Sequence, residues 1–399
     1  MRLDDPYLTD QLIPYIGNKR KLLPLIYDAI NRTGLRRGTF FDAFAGSGVV
    51  SRLAKLVGFR VISNDWEPYA EKINQAYIAT NTPPEFSRLG GLDGAIASLN
   101  SLAGTRGYIA THYCPADDEH YDPETERMFY TQQNGRRIDA IRERIADWWA
   151  SGVIDSREEA VLLASLIYQA SYCSNTSGVF KGFHRGWGGA TKTAWYRIRS
   201  HLTLGAPVLF DNGLDNIVLK EDAAAIANKI KCDIAYLDPP YNQHQYGANY
   251  HLLNTVALWD RPEITERISH GNKAAIRKDW RTERRSDYCH RATALGAFSD
   301  LVCRLKADWI LVSYSTEGII PIEDLLGALG ERGELSVVVR RYKRYRVSSQ
   351  RPSPKPHTTE FVAAVDTRSP ARPSRVDAAV RVIMDNETQH SVPQFALIG

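Results

Sequence analysis

The segment LDPPYN, Leu237 to Asn242, sets an acid, two prolines and an aromatic residue directly after an apolar run that reads as a strand. Consecutive prolines, here Pro239 and Pro240, remove two backbone donors and leave carbonyls pointing outward. Asp238 and the Pro239 carbonyl can then accept both hydrogens of one amino group, while Tyr241 offers a ring face on which a base can stack. The chemistry this predicts is the binding of a planar amine. A second cluster lies upstream. The loop AGSG, Ala45 to Gly48, allows close backbone approach to a ligand at a helix N-terminus. It continues as GSGVVS and lacks the third glycine of GxGxxG, which disfavours a nicotinamide or flavin. Asp65 ends the next apolar run, where a carboxylate can accept both ribose hydroxyls of an adenosine-containing cofactor; its other reading is a cap before the turn at WEPY.

These residues need a scaffold that brings them together. The spacing predicts a helix over Leu22 to Ile30, a strand in TFFDAFAGSG, a helix through Val49, Val50, Leu53, Leu56 and Val57 stopped at Gly58, and a strand at FRVISND. Strand, glycine loop, helix and strand make a βαβ unit of a parallel sheet, whose ligands bind beyond the carboxyl ends of the strands. The alternation stops near residue 80. Helical patterns follow to about 205, one marked by Ile138, Ile141, Ile145 and Trp148, another running from Val161 to Ala170. Strands then resume at NIVLKED, CDIAYLD, WILVSYS, LSVVVRRY and EFVAAV, with a helix from Ala223. The expectation is an α/β, Rossmann-like doubly wound sheet formed by residues 1–80 and 206–399, with 81–205 as an inserted, mainly helical domain. The stretch SPARPS, Ser369 to Ser374, reads as a linker into a C-terminal extension.

Composition bounds the class. The chain has 399 residues, 24% charged and 43% hydrophobic, which excludes a wholly disordered chain; its formal charge of +4 is too mild to demand an anionic partner. Five cysteines without a CxxC pair fit neither a disulfide framework nor a zinc ribbon and suggest a reducing cytoplasm. No apolar run approaches the roughly 20 residues of a membrane span. His112, Cys114 and His120 lie close in sequence but at no zinc spacing, so no metal is expected.

Taken together, the motifs resemble those of DNA adenine N6-methyltransferases that use S-adenosylmethionine, of the group with the recognition insertion before the DPPY motif. PYIGNKRKLL at Pro14 resembles the N-terminal motif of that family, DAFAGSG its cofactor loop, SNDWE its ribose-binding acid and KEDAAAI at Lys220 the acid that meets the cofactor adenine. The likeness covers about residues 13–80 and 210–365. Within the group the chain is similar to FokI-like modification methylases, through RMFYTQQNGRRIDAIR at Arg127, NTSG at Asn175 and NQHQYGANYH at Asn242. The resemblance implies that Tyr15 and Lys19 contact the methionine end of the cofactor and Asp42 its amino group. It further implies that Phe44, Gly46 and Gly48 line the cofactor, Asp65 holds the ribose, Trp66 covers the adenine ring, and Asp222 accepts the exocyclic amine. Double-stranded DNA, with a target base flipped out, is the implied substrate, and a cognate restriction endonuclease a possible companion.

Charge placement supports a nucleic-acid partner. From Ala160 to Phe210 there are five bases, Lys181, Arg185, Lys192, Arg197 and Arg199, and no Asp or Glu, with Phe180, Phe183, Trp187, Trp195 and Tyr196 interleaved. That composition suits a phosphate-gripping loop. A second acid-free run, Leu335 to Thr359, carries Arg340, Arg341, Lys343, Arg344, Arg346, Arg351 and Lys355, and reads equally as a solvated face. Other readings remain: N4-cytosine methylation, an RNA guanine methylase with a similar motif, and a catalytically idle DNA-binding module. Cytosine C5 chemistry is disfavoured because the Pro-Cys pair it commonly uses is absent.

Overall fold

A computed structural model describes residues 2–189, 192–269, 271–343 and 357–388. Among the described residues seven strands form one sheet in the order β3-β2-β1-β4-β5-β7-β6. They are β1 (Thr39–Asp42), β2 (Arg60–Asn64), β3 (Ile217–Leu219), β4 (Lys231–Leu237), β5 (Lys306–Ser315), β6 (Glu334–Lys343) and β7 (His357–Asp366). The first five run parallel, and β7 inserts antiparallel between β5 and β6. The α/β fold class read from the sequence is therefore correct.

Residues alternate across the sheet, so neighbours on one strand serve opposite faces. Phe40 packs with Val61, Ile234 and the helices Leu23–Arg32 and Val49–Val57, while Phe41 packs with Ala235 and the helices Ala294–Arg304 and Ile322–Gly330. Helices on both faces and a central β1 make the sheet doubly wound. The chain runs outward from β1 through β2 to β3 on one side and through β4 to β5 on the other. The switch point therefore lies between the carboxyl ends of β1 and β4, where a ligand crevice opens in such sheets. Ala43 and Phe44 leave β1 there, and Asp238 leaves β4.

Between β2 and β3 the chain is helical, with the long helices Gln132–Ala150 and Ser156–Tyr172. The second is fixed at its start by a capping box in which Asp155 accepts from Glu158 N–H and Glu158 from Asp155 N–H. The apolar contents of this region are continuous with those of Tyr69, Ile73, Leu252, Leu253 and Val256, so the helices rest on the sheet-bearing part through one shared core. Beyond SPARPS the structure differs from a simple linker. Helix Pro373–Thr388 docks Ala379 and Ile383 into the core over one sheet face, because its apolar stripe covers residues that would otherwise be wet.

Candidate active site

The loop after β1 turns sharply at two glycines. Gly46 and Gly48 have φ of 50° and 77°, in the left-handed region that glycine tolerates best. A Cβ on Gly46 would lie 2.9 Å from the Tyr15 ring, and one on Gly48 2.5 Å from Asn74 Oδ1. The close approach these glycines permit is therefore to Tyr15 and Asn74, and neither glycine lines the pocket directly. Asp65 completes the turn by accepting from Gly46 N–H at 2.8 Å and from Glu67 N–H at 2.9 Å.

A pocket with about 740 Å³ of empty space, part of it open to solvent, lies at the switch point. One wall is Phe44, Asp65, Trp66 and Asp222; another is Asp238, Pro239, Pro240 and Tyr241; Tyr15 closes one end. The two motif clusters thus meet in one cavity of the size that binds small ligands. Asp222 faces the pocket while its Oδ1 caps the helix Ala223–Ile226, accepting from Ala224 and Ala225 N–H. Asp42 sits behind the wall, buried, and accepts from the Ser51 hydroxyl at 2.7 Å.

The N-terminal segment crosses the carboxyl edge of the sheet and is tied to residues that follow DPPY. Tyr15 stacks on Tyr250 with ring centroids 4.8 Å apart, Ile16 N–H donates to the Tyr250 hydroxyl at 2.7 Å, and the Tyr246 hydroxyl donates to Ile16 O. This strap carries Lys19 inward. Its ammonium is 3% exposed, lies 2.9 Å from Asp238 Oδ1 and sits 5.0 Å from the centre of the Tyr241 ring. Lys19 therefore meets the DPPY acid and does not line the pocket. No local pattern signals this pairing, which arises from two segments far apart in the chain.

Burial governs the acids. It pushes the Asp238 carboxyl above the usual carboxylate range, with the Lys19 ammonium opposing the rise. Burial likewise raises Asp42 to about 7, against a hydrogen bond from Ser51, and Asp65 to about 6, against backbone N–H donors. Glu67, 1% exposed, is raised to about 7 by burial despite its bond from Asn254 Nδ2. Among the described lining residues five are acids (Asp65, Glu67, Glu221, Asp222, Asp238) and one, Arg284, is a cation. Such a lining favours a ligand with positive charge. Glu67 Oε1 and the Tyr288 hydroxyl are buried without a hydrogen-bond partner. Sequence reasoning missed Glu67, Arg284 and Tyr288; the one clue was a cluster of mixed charge, KDWRTERRSDYC from Lys278, in a stretch without periodicity.

The basic loop is spread over an exposed face. Lys181, Arg185, Lys192 and Arg199 are exposed, with Arg185 paired to Glu124 at 2.7 Å and Arg199 lying over the Trp195 ring. Arg197 is half-buried and donates to Ser174 O at 3.1 Å. In the second basic run Arg344, Arg346, Arg351 and Lys355 lie outside the described residues. Among the described residues no helix is long and apolar enough to cross a membrane, and no group of three or more His, Cys, Asp and Glu residues could hold a metal ion.

Comparison with known proteins agrees with the motif pattern. The family model for D12 class N6 adenine-specific DNA methyltransferases matches residues 15–325. The chain is 33% identical to the modification methylase StsI of Streptococcus sanguinis over 83% of its own length and 48% of that protein. It is 32% identical to the type II methyltransferase M.NlaIII of Neisseria lactamica over 83% of itself and 92% of that protein. With M.FokI of Planomicrobium okeanokoites it shares 31% identity over 88% of itself and 52% of the relative. The chain thus spans about half of the StsI and FokI proteins and nearly all of NlaIII. No solved structure matches it. With DPPY, the glycine loop and the acid at Asp65 all at one crevice, the chain belongs to the D12 class of N6 adenine-specific DNA methyltransferases.

Proposed function

We propose that the protein transfers a methyl group from S-adenosylmethionine to N6 of an adenine flipped out of a specific double-stranded DNA sequence. The observation that carries this reading is the single cavity walled by Phe44, Asp65 and Asp222 on one side and Asp238 to Tyr241 on the other. The acid-rich lining and the orphaned polar atoms of Glu67 and Tyr288 fit a cationic, hydrogen-bonding cofactor. Bound there, the cofactor supplies an electrophilic methyl on a sulfonium.

The chemistry required of the chain follows from the weakness of the nucleophile. The N6 lone pair of adenine is delocalised into the ring, so the nitrogen attacks poorly unless its hydrogens are held in a geometry that favours pyramidalisation. Asp238 and the Pro239 carbonyl supply the two acceptors, and Pro240 stiffens the turn that presents them. Lys19 fixes the Asp238 carboxylate and favours its ionised form against the effect of burial, so the acceptor is preorganised before the base arrives. Tyr241 provides a stacking face worth about 1 to 3 kcal/mol, offsetting part of the few kcal/mol that extruding a base costs. The barrier falls through positioning rather than a covalent enzyme intermediate. The N6 proton leaves after transfer, to Asp238 or water.

On the cofactor side, Asp65 accepts the ribose hydroxyls, Trp66 covers the purine and Asp222 accepts its amine, a reading supported by all three lining the one pocket. Tyr15, Phe44, Gly46 and Gly48 shape that half. Residues 81–205 are read as the recognition unit, with Lys181, Arg185, Lys192 and Arg199 on phosphates; Arg197, already bonded to a carbonyl, serves the loop's own structure. A cognate endonuclease accords with the type II methyltransferases among the relatives. The test is transfer of radiolabelled methyl to mixed DNA, followed by nucleoside analysis. N6-methyladenine is expected. N4-methylcytosine would overturn the base assignment, and cofactor binding with no incorporation into any DNA would favour an idle binder.

A further inference from the structure

The segment between the helix His251–Leu258 and the helix Ala294–Arg304 has little regular structure, yet arginines pin it. Arg277 is 2.6 Å from Asp260 and 2.9 Å from Asp279. Arg284 pairs with Asp279, with Glu283 at 3.0 Å and with Glu67 at 3.6 Å. Gln245 and Ser286 then exchange two hydrogen bonds, Gln245 Nε2 to Ser286 O at 3.1 Å and Ser286 N–H to Gln245 Oε1 at 2.9 Å. These contacts fix the loop backbone that presents Tyr288 to the pocket.

Tyr288 is 9% exposed and lines the cavity shared by Phe44 and Asp222. Its ring meets Phe44 edge-on, with centroids 5.3 Å apart and planes at 84°. Its hydroxyl is buried without a hydrogen-bond partner, a costly state that a ligand acceptor would relieve. Burial, with Asp222 adding to it, keeps the phenol protonated and therefore a donor. Asp222, when ionised, is an acceptor only. The pocket lining thus offers an acceptor and a donor within electrostatic reach of each other. An adenine edge carries the complementary pair, an exocyclic N–H beside an unprotonated ring nitrogen; a 6-oxo purine places an acceptor at C6 and a hydrogen on N1.

We propose that Tyr288 is a positioning residue that donates to a ring nitrogen of the cofactor's adenine beside the amine taken by Asp222, making the segment around it the closing wall of the cofactor pocket. The inference rests on the methyltransferase reading above and deepens it, since it states how this pocket selects an adenosyl over an inosyl cofactor. A site built to hydrogen-bond a group discriminates strongly against an analogue that leaves its donors unpaired.

The test is calorimetric titration of the full chain with S-adenosylhomocysteine and with S-inosylhomocysteine, in wild type and Tyr288→Phe. Wild type is expected to prefer the adenosyl form. Tyr288→Phe should weaken that form by roughly 2- to 12-fold, the loss of one neutral hydrogen bond, and narrow the preference, without lowering the melting temperature of the ligand-free protein. Unchanged affinity in Tyr288→Phe, or an equal loss for both ligands with a lowered melting temperature, would overturn the role of Tyr288 and leave the methyltransferase reading standing. Failure of wild type to bind S-adenosylhomocysteine at all would overturn both.

Discussion

Removing Lys19 and Asp238 separately and together tests whether they act as one buried unit. The ammonium is 3% exposed and the carboxylate 18%, with 2.9 Å between them. Breaking a buried ion pair by deleting one partner costs about 3 to 5 kcal/mol because the survivor stays uncompensated, and the partial exposure of Asp238 favours the lower end, about 3 kcal/mol. That is a large fraction of the roughly 5 to 15 kcal/mol by which proteins are stable. Lys19→Met and Asp238→Asn are therefore each expected to lose about 3 kcal/mol in urea unfolding, while the double variant, which removes both members of the pair and leaves only the buried Glu360 without its nearby cation, loses clearly less than the two single losses added together. Methyl transfer adds an independent readout. Asp238→Asn keeps the shape but exchanges an acceptor for a donor, and a loss of roughly 100- to 1000-fold is expected, as for other single preorganised contacts. In Lys19→Met the Asp238 carboxyl loses the charge that opposes its upward shift, so its working, ionised form retreats to higher pH. The acidic limb of the pH–rate profile should move upward while activity at high pH is partly retained. Stability losses that simply add in the double variant, together with an unmoved acidic limb, would refute the pairing as the device that holds Asp238.

Three further outcomes are expected. Asp65 at about 6 and Glu67 at about 7 lose protons when a cationic ligand binds, so cofactor affinity should rise with pH from about 5.5 to 7.5 and binding should release protons; calorimetry in two buffers of different ionisation enthalpy measures this, and proton uptake would contradict it. Gly46→Ala forces a Cβ within 2.9 Å of the Tyr15 ring at φ 50°, and about 1 to 3 kcal/mol of stability and most cofactor affinity should go with it; a variant that melts and binds like wild type would show that the turn has slack. Lys181→Ala and Lys192→Ala should each lower the slope of log affinity for DNA against log salt by about 0.9, whereas Arg197→Ala should leave the slope unchanged and lower stability, as filter binding and thermal melts would show.

Sequence by itself determined the α/β class and the two clusters that meet at the crevice. Both signals are local. A strand followed by AGSG or by DPPY announces its own turn, and in a parallel sheet the carboxyl ends of neighbouring strands must open on the same side. Short apolar runs placed all seven strands for the same reason, since the burial of a strand covered on both faces is written in its own residues. Only the tertiary structure decided what stands around those clusters. Lys19, legible as a cation near the cofactor, turned out to be buried against Asp238, because the strap from Tyr15 to Lys19 is steered by Tyr246 and Tyr250 from the other half of the chain. Gly46 and Gly48, legible as room for a ligand, make room for Tyr15 and Asn74. Arg284 and Tyr288 lack a periodic signature, since the segment that carries them is held by ion pairs and not by periodic burial, and Glu67 lies inside SNDWE, where nothing local shows that its carboxylate is buried. Short-range pattern encodes the geometry of the backbone turns; which side chain is forced into a low-dielectric contact with which other is a property of the packed whole.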